Sequence, residues 1–376
     1  MVSRSRGLVG SPPAPVPPDE AAATPSILFL SWKDLAHPEA GGSEIFVDCL
    51  IDELRGRGHR VGLVCGGPVA ARPYHIVESG GRYSQYLGAP LKARRMGQWD
   101  LLVEVVNGFP FLSPLWWRGP RLCFFHHVHE DQWFRHFPRL VAEVGWFVEG
   151  KVVPAVYRRT TFAALSASTA SRLAELGVPR RSIHVVNVGL DQTLFDEAVN
   201  EPAGADFVCV GRLVANKGID RVLAAWELVR PDVGGRLLLI GDGPLRSEIE
   251  ARRIPGVEVL GRVDEQTKRR LVAVARLLVH GAYREGWGMV ISEAGAMGTA
   301  SLAFDAPGVR DAIVDGETGR LVSTVDEMAA AWRELARDPA RLERMQGAAR
   351  TRARELSWAR AADQLLVAAR QAGVGA

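Results

Sequence analysis

Short apolar runs of four to seven residues, each closed by turn residues, alternate along the chain with stretches of helical periodicity. They fall in two series, the first at residues 26–31, 60–65, 100–106, 121–125, 161–166 and 183–187, the second at 206–210, 236–240, 257–260, 277–280 and 301–304. Helical patterns occupy several of the gaps, notably 43–57, 137–158 and 167–176, and beyond residue 324 only helical patterns remain, to about residue 370. Strands alternating with helices predict an α/β chain whose parallel sheets are covered on both faces. A polar stretch at 191–205, with Pro202 and Gly204, separates the series and sets the boundary. The expected layout is a tail at 1–25, a first αβ domain at 26–190, a linker at 191–205, a second αβ domain at 206–355, and a terminal helix at 356–376 that packs back on the first domain. Open αβ sheets bind ligands at the carboxyl ends of their strands, so the ligand is expected in a cleft where the two domains face each other.

Composition narrows the classes. With 24% charged and 47% hydrophobic residues in a chain of 376, there is core enough for two domains and no disorder signature beyond the Pro-rich first 25 residues. Lys and Arg outnumber Asp and Glu by 21 to 19 over residues 1–200 and by 25 to 24 over the rest, so no concentrated basic field marks a nucleic-acid binder. Cys49, Cys65, Cys123 and Cys209 are dispersed without a C-x-x-C pair, which argues against a zinc ribbon or a disulfide framework and for a reducing compartment. No apolar run approaches the roughly 18 residues of a spanning helix. Only five of the 46 basic residues are Lys, so each Lys invites a reason.

Three segments carry candidate chemistry. Gly211, Arg212, Lys217 and Gly218 follow the first strand of the second series; the pattern is neither G-x-G-x-x-G nor a nucleoside-triphosphatase loop, and its two cations suit a diphosphate. Taken alone it also fits a solvated turn. Glu285, Gly286, Trp287, Gly288 and Met289 precede a helical pattern at 290–297 that contains Glu293. On one continuous helix the two carboxylates would stand about 12 Å apart, against about 5 Å for the paired acids of a retaining glycosidase, so they suit two parts of an extended ligand. Helix capping is the plainer role for Glu293. His126, His127 and His129 directly follow the strand at 121–125 and so face the expected cleft. A zinc site there would use His126, His129 and Glu130 or Asp131, but no distant ligand pair completes it. Structural hydrogen bonding is the plainer role, above all for His127.

Together these segments resemble glycosyltransferase family 4, the retaining nucleotide-sugar transferases of the GT-B fold, over roughly residues 26–370. The carriers are Gly41, Gly42, Ser43 and Glu44 after the first strand, the His126 loop, Gly211 and Arg212 with Lys217 and Gly218, the run Gly241, Asp242, Gly243 and Pro244, and the Glu285 to Glu293 segment. Gly308 to Asp311 and Gly316 to Gly319 add to it, whereas Gly298, Thr299, Ala300 and Ser301 depart from the Pro-containing stretch common in the family. The resemblance implies two Rossmann-like domains and a sugar moved from a nucleoside-diphosphate donor to a hydroxyl acceptor. It implies that Arg212 and Lys217 hold the diphosphate, Glu293 the ribose and Glu285 the sugar hydroxyls. Gly42, Gly286, Trp287, Gly288 and Met289 would complete the donor site, with His126 near the transferring sugar. His129, Glu130 and Trp133 are the candidates for the acceptor. The chain lacks an Asp-x-Asp motif, so neither metal nor cofactor is expected and the cations replace the metal. A nucleotide-sugar 2-epimerase and a catalytically silent nucleotide-sugar binder are the alternatives.

Residues 105–150 hold 11 of the 28 aromatic residues, among them Trp116 and Trp117, interleaved with Arg118, Arg121, Arg135 and Arg139. Such a mixture suits a small apolar or lipid-linked acceptor and peripheral contact with the inner face of a membrane by a cytoplasmic protein. An aromatic core is the plainer alternative.

Overall fold

In the computed structural model, which describes residues 24–38, 40–130, 132–136, 138–196, 204 and 206–375, the apolar runs form two separate parallel sheets. The first holds β1 (Ile27–Lys33), β2 (Val61–Gly66), β3 (His75–Glu78), β4 (Leu101–Val106), β5 (Arg121–Phe125), β6 (Thr161–Ala164) and β7 (Ile183–Val185). Its order is β3-β2-β1-β4-β5-β6-β7. The second holds β8 (Phe207–Val210), β9 (Leu237–Ile240), β10 (Val257–Gly261), β11 (Leu277–His280), β12 (Ser301–Phe304) and β13 (Gly319–Val322), in the order β10-β9-β8-β11-β12-β13. Every residue of β2 and β4 is buried, as in strands covered on both faces. Ile27 lies level with Val61 on one side and Leu101 on the other, so the apolar positions of three strands form one layer.

In both sheets the strand order reverses beside the first strand, between β1 and β4 and between β8 and β11. Connections leaving in opposite directions open a crevice at such a point, at the carboxyl ends of the strands. The first core packs Phe29, Leu50 and Phe124 around Phe46. The second is built on Phe207, Trp226 and Trp332, with ring centroids 5.1 to 5.9 Å apart. After β13 the chain forms the helices Val325–Arg337 and Pro339–Ala353, then returns to the first domain as the helix Trp358–Gln371. There the Trp358 ring lies 5.6 Å from that of Phe46, Gln364 accepts from the Asn187 amide at 2.9 Å, and Arg57 pairs with Asp363 at 2.5 Å.

Local structure differs from expectation in four places. Strands β3 and β13 were not anticipated; each has four residues with partly exposed polar members, and both are sheet edges where the apolar signal is weakest. The helix Gln85–Arg95 was also missed, since it carries Gly88 and Pro90 inside its span. The single helical stretch expected over 137–158 is broken into Arg139–Phe147, a π-helical turn at Val148–Val152 and a short helix at Val153–Val156. The helix expected from residue 43 starts one residue earlier, as Gly42–Gly56: Gly41 is its cap and the Gly41 amide donates to Glu44 Oε2 at 2.8 Å, which accounts for a buried glutamate in the first turn. Residues 1–23, most of the stretch 197–205, Asp131 and Phe137 lie outside the described residues.

Candidate functional site

The loops after β8 and β11 converge at the switch point of the second sheet. The first makes a turn at Ala215–Lys217 ahead of the helix Ile219–Val233; the second runs from β11 to the helix Met289–Ala296. Arg221 clamps the two, donating to the Gly281 and Ala282 carbonyls at 2.6 Å each while its guanidinium lies over the Tyr283 and Phe304 rings. This clamp had no signal in the sequence beyond one more Arg among 41. Its effect is to bring Lys217 Nζ within 2.5 Å of Glu285 Oε1, with His280 Nε2 3.3 Å from the same oxygen. Burial pushes the Glu285 carboxyl up, but Lys217 and His280 outweigh it and hold the group far below the usual carboxylate range. Glu285 is therefore an anion at neutral pH. Gly308, at φ +83°, packs its α-carbon against the Glu285 carbonyl, and a Cβ there would come within 2.1 Å of that oxygen.

Arg212 is exposed and has no ion-pair partner among the described residues. Trp287 is buried, its indole N–H donating to Ser292 Oγ at 2.9 Å, so it shapes the start of the helix from within. Glu293 lies one turn into that helix, with Lys268 Nζ 3.5 Å from its Oε2.

From the other domain, His126 follows β5 and is 4% exposed. Its ring stands edge-on to Phe46 and tilted against Phe124, with centroids 5.3 and 5.2 Å away. Burial alone pushes its pKa down to about 3, so the imidazole is neutral. Its Nε2 is buried with no hydrogen-bond partner among the described residues, an uncommon state for a buried polar atom. The two domains touch here: a Cβ on Gly286 would lie 3.1 Å from the His126 carbonyl oxygen, and one on Gly42 would lie 3.6 Å from Met289 Sδ. Of the residues expected to bind the donor, Gly42 and Met289 thus meet across the interface, and Gly286 meets the His126 backbone there.

The candidates for the acceptor are placed unequally. Glu130, in the left-handed region at φ +48°, pairs with Arg284 at 2.5 Å and with Arg172, and so ties the first domain to the Glu285 loop. It lines a cleft of about 530 Å³ with His127, Ser168, Arg172, Arg284 and Glu285. His129 and Trp133 are not part of that lining. Trp133 is 2% exposed, and both residues hydrogen-bond Glu149, whose carboxylate accepts from the backbone amides of His129 and Glu130 and from the Trp133 indole at 2.9 to 3.2 Å. Burial raises the Glu149 pKa, but the His129 ring and these amides outweigh it, so the group is held low. Glu149 was missed in the sequence because only the π-helical turn turns it inward.

Trp116 and Trp117 are half-buried, their indoles donating to the Phe111 and Pro120 carbonyls at 2.9 and 3.1 Å. Solvent-facing apolar residues about the helix Arg139–Phe147 include Phe134, Leu140, Val141, Val144, Trp146 and Phe147. No helix among the described residues is long and apolar enough to cross a membrane.

Comparison with known proteins agrees with this arrangement. Residues 40–194 match the family Glycosyltransferase Family 4, and residues 204–338 match Glycosyl transferases group 1. The D-inositol 3-phosphate glycosyltransferase of Nocardia farcinica is 28% identical, the match covering 91% of this chain and 88% of that protein. The alpha-maltose-1-phosphate synthase of Mycolicibacterium smegmatis is 29% identical over 49% of this chain and 55% of its own length. Among solved structures, Anabaena HepE in complex with UDP and glucose superposes with a TM-score of 0.72 at 18% identity, over 92% of this chain and all of that one. Sucrose-phosphate synthase of Thermosynechococcus elongatus superposes with a TM-score of 0.73 at 22% identity, over 92% and 98%. With two parallel-sheet domains meeting at their carboxyl ends and both halves matched in order, the chain belongs to glycosyltransferase family 4 and has the GT-B architecture.

Proposed function

We propose that the chain transfers a sugar from a nucleoside-diphosphate donor to a hydroxyl acceptor with retention of anomeric configuration and without a metal ion. The observation that carries the reading is the Lys217–Glu285 pair at the switch point, next in sequence to Gly286, which packs against the His126 backbone across the domain interface. Lys217 and Arg212 supply positive charge for the leaving diphosphate, together with the amides at the start of the helix Met289–Ala296. Glu285 accepts from hydroxyls of the transferred sugar and Glu293 from the ribose. Neutral His126 makes the remaining contact to the sugar through Nε2.

Glu285 is held by two cationic or polar partners and is a poor nucleophile, which favours attack on the face the diphosphate leaves. The anomeric carbon–phosphate oxygen bond breaks, a bond to the acceptor oxygen forms on the same face, and the acceptor proton passes to the departing phosphate oxygen. The protein contributes position and charge. A thermal-shift screen against UDP, GDP, ADP and their sugars, followed by proton NMR of the product, tests the reading; a ligand at 100 times its Kd adds about 2.7 kcal/mol. Release of free nucleotide with a new α-glycoside from an α-donor supports it. Isomerisation of the donor sugar without acceptor overturns it in favour of an epimerase.

The acceptor in this reading is apolar or lipid-linked, and the protein touches a membrane peripherally. Supporting it are the exposed Leu140, Trp146 and Phe147; of these Trp146 and Phe147, together with Phe134, Arg139 and Glu143, border an open, mostly apolar hollow.

A further inference from the structure

One loop of the first domain grips the chain on both sides of Glu285. The residue before it, Arg284, pairs with Glu130 at 2.5 Å, and the residue after it, Gly286, packs so close to the His126 carbonyl that an added Cβ would lie 3.1 Å from that oxygen. We infer that Glu130 is a positioning residue: through Arg284 it fixes the backbone that carries Glu285, so that recognition of the donor's sugar, but not of its nucleotide, depends on the Glu130–Arg284 contact between the domains. The inference rests on the proposed role of Glu285 toward the sugar.

The first domain is built to present this carboxylate. Glu130 holds a left-handed conformation, φ +48°, that residues other than glycine rarely adopt. Glu149 fixes the turn, since its buried carboxylate accepts from the His129 and Glu130 amides at 2.9 and 3.1 Å. The Glu130 carboxylate then crosses the interface, one oxygen meeting Arg172 of its own domain and the other Arg284. The Glu130 and Arg284 side chains are 15% and 18% exposed, so the pair is only weakly screened by salt.

On the other side, the Glu285 amide donates to the Pro307 carbonyl at 2.9 Å, and Asp311, a few residues further on, accepts from the Ser168 amide of the first domain at 3.0 Å. The backbone about Glu285 is thus shared between the domains. An amide in place of the Glu130 carboxylate leaves Arg172 and Arg284 facing each other without their common counter-ion, and the attraction that holds Arg284 becomes repulsion. A hydrogen bond to a sugar hydroxyl weakens steeply away from its distance and angle, so a small shift of Glu285 is lost sugar affinity. Arg212 and Lys217 belong to the loop after β8 and are not carried by Arg284.

The test takes the nucleotide sugar that raises the melting temperature of wild type most and titrates it calorimetrically beside its parent nucleoside diphosphate. Glu130→Gln should weaken the nucleotide sugar about five- to tenfold and leave the nucleoside diphosphate within about twofold, tenfold being about 1.4 kcal/mol. Arg284→Gln should do the same, and the double variant should be no worse than the poorer single one, because both changes break one contact. Circular dichroism and melting temperature establish that the variants are folded. Equal losses for both ligands, losses that add in the double variant, or a loss that Arg284→Gln does not share overturn the role of Glu130. If Glu130→Gln is silent while Glu285→Gln loses the nucleotide sugar, the inference fails and the donor site stands. If both are silent, or no nucleotide sugar binds wild type, the donor reading falls with it.

Discussion

Lys217 Nζ and Glu285 Oε1 stand 2.5 Å apart although 68 residues of sequence separate them, and the pair is mostly shielded from solvent. In the ligand-free site each neutralises the other, so a donor that brings a diphosphate to Lys217 and hydroxyls to Glu285 replaces one charged contact with two.

Removing the cation should therefore cost catalysis more than folding. Lys217→Ala is expected to lose roughly 1.5–3 kcal/mol of transition-state stabilisation, a charge-assisted hydrogen bond's worth. This appears as a fall in kcat/KM of about tenfold to somewhat over a hundredfold, read from initial rates across donor concentrations. Unchanged kcat/KM removes Lys217 from the site.

Transfer should proceed unchanged in chelator, with the product carrying the donor's anomeric configuration. The expectation rests on the Arg212 and Lys217 cations and on the missing Asp-x-Asp motif. Activity abolished by EDTA and restored by Mn²⁺ or Mg²⁺ would contradict the first half, and an inverted anomeric proton coupling the second.

His126→Ala should lose transfer while keeping nucleotide affinity, because in the proposed function His126, on the domain opposite Lys217, contacts the sugar alone. Calorimetry with the nucleoside diphosphate, beside kcat, separates the two; affinity lost in step with rate would make His126 part of the nucleotide site.

The same residue gives a pH signature in stability. Its folded pKa, about 3, lies below the ordinary histidine value of about 6.5. The unfolded chain therefore takes up a proton that the folded one refuses, and stability present above about pH 6.5 falls as pH drops toward 3. The slope from this one group is about 1.4 kcal/mol per pH unit. Glu285 acts in the same sense lower down: its folded pKa is depressed, so its contribution is present above about pH 4.3 and fades below. Urea titrations between pH 7 and pH 4.5 should show wild type losing stability more steeply than His126→Asn; equal slopes would mean that His126 is hydrated.

For membrane contact, the wild-type protein should co-sediment with anionic vesicles, and a Leu140→Ser, Trp146→Ser, Phe147→Ser variant should not. Absence of binding by wild type, with equal activity of both proteins on a short water-soluble acceptor, leaves the exposed helix without a membrane role.

Much of the fold was written in the apolar runs, because strands buried on both faces must be apolar throughout and so stand out against their neighbours. Strands β3 and β13 were not, since edge strands share their polar positions with water. The loops bearing Lys217 and Glu285 could be placed from local glycines and the strands before them. Their distance could not, because it depends on Arg221 reaching two carbonyls about 60 residues away. The interior orientation of Trp133 was equally hidden: an aromatic residue in a His-rich loop reads as ligand contact until the inward turn of Glu149 supplies its partner.

The return of the helix Trp358–Gln371 to the first domain sets an order of assembly. A chain emerging from the ribosome presents its first domain early, but the surface around Phe46 and Asn187 stays uncovered until the last turn of helix has been synthesised. The second domain, whose strands all lie between residues 207 and 322, has its whole sheet available before then. The first domain is thus closed only after every strand of the second has been made.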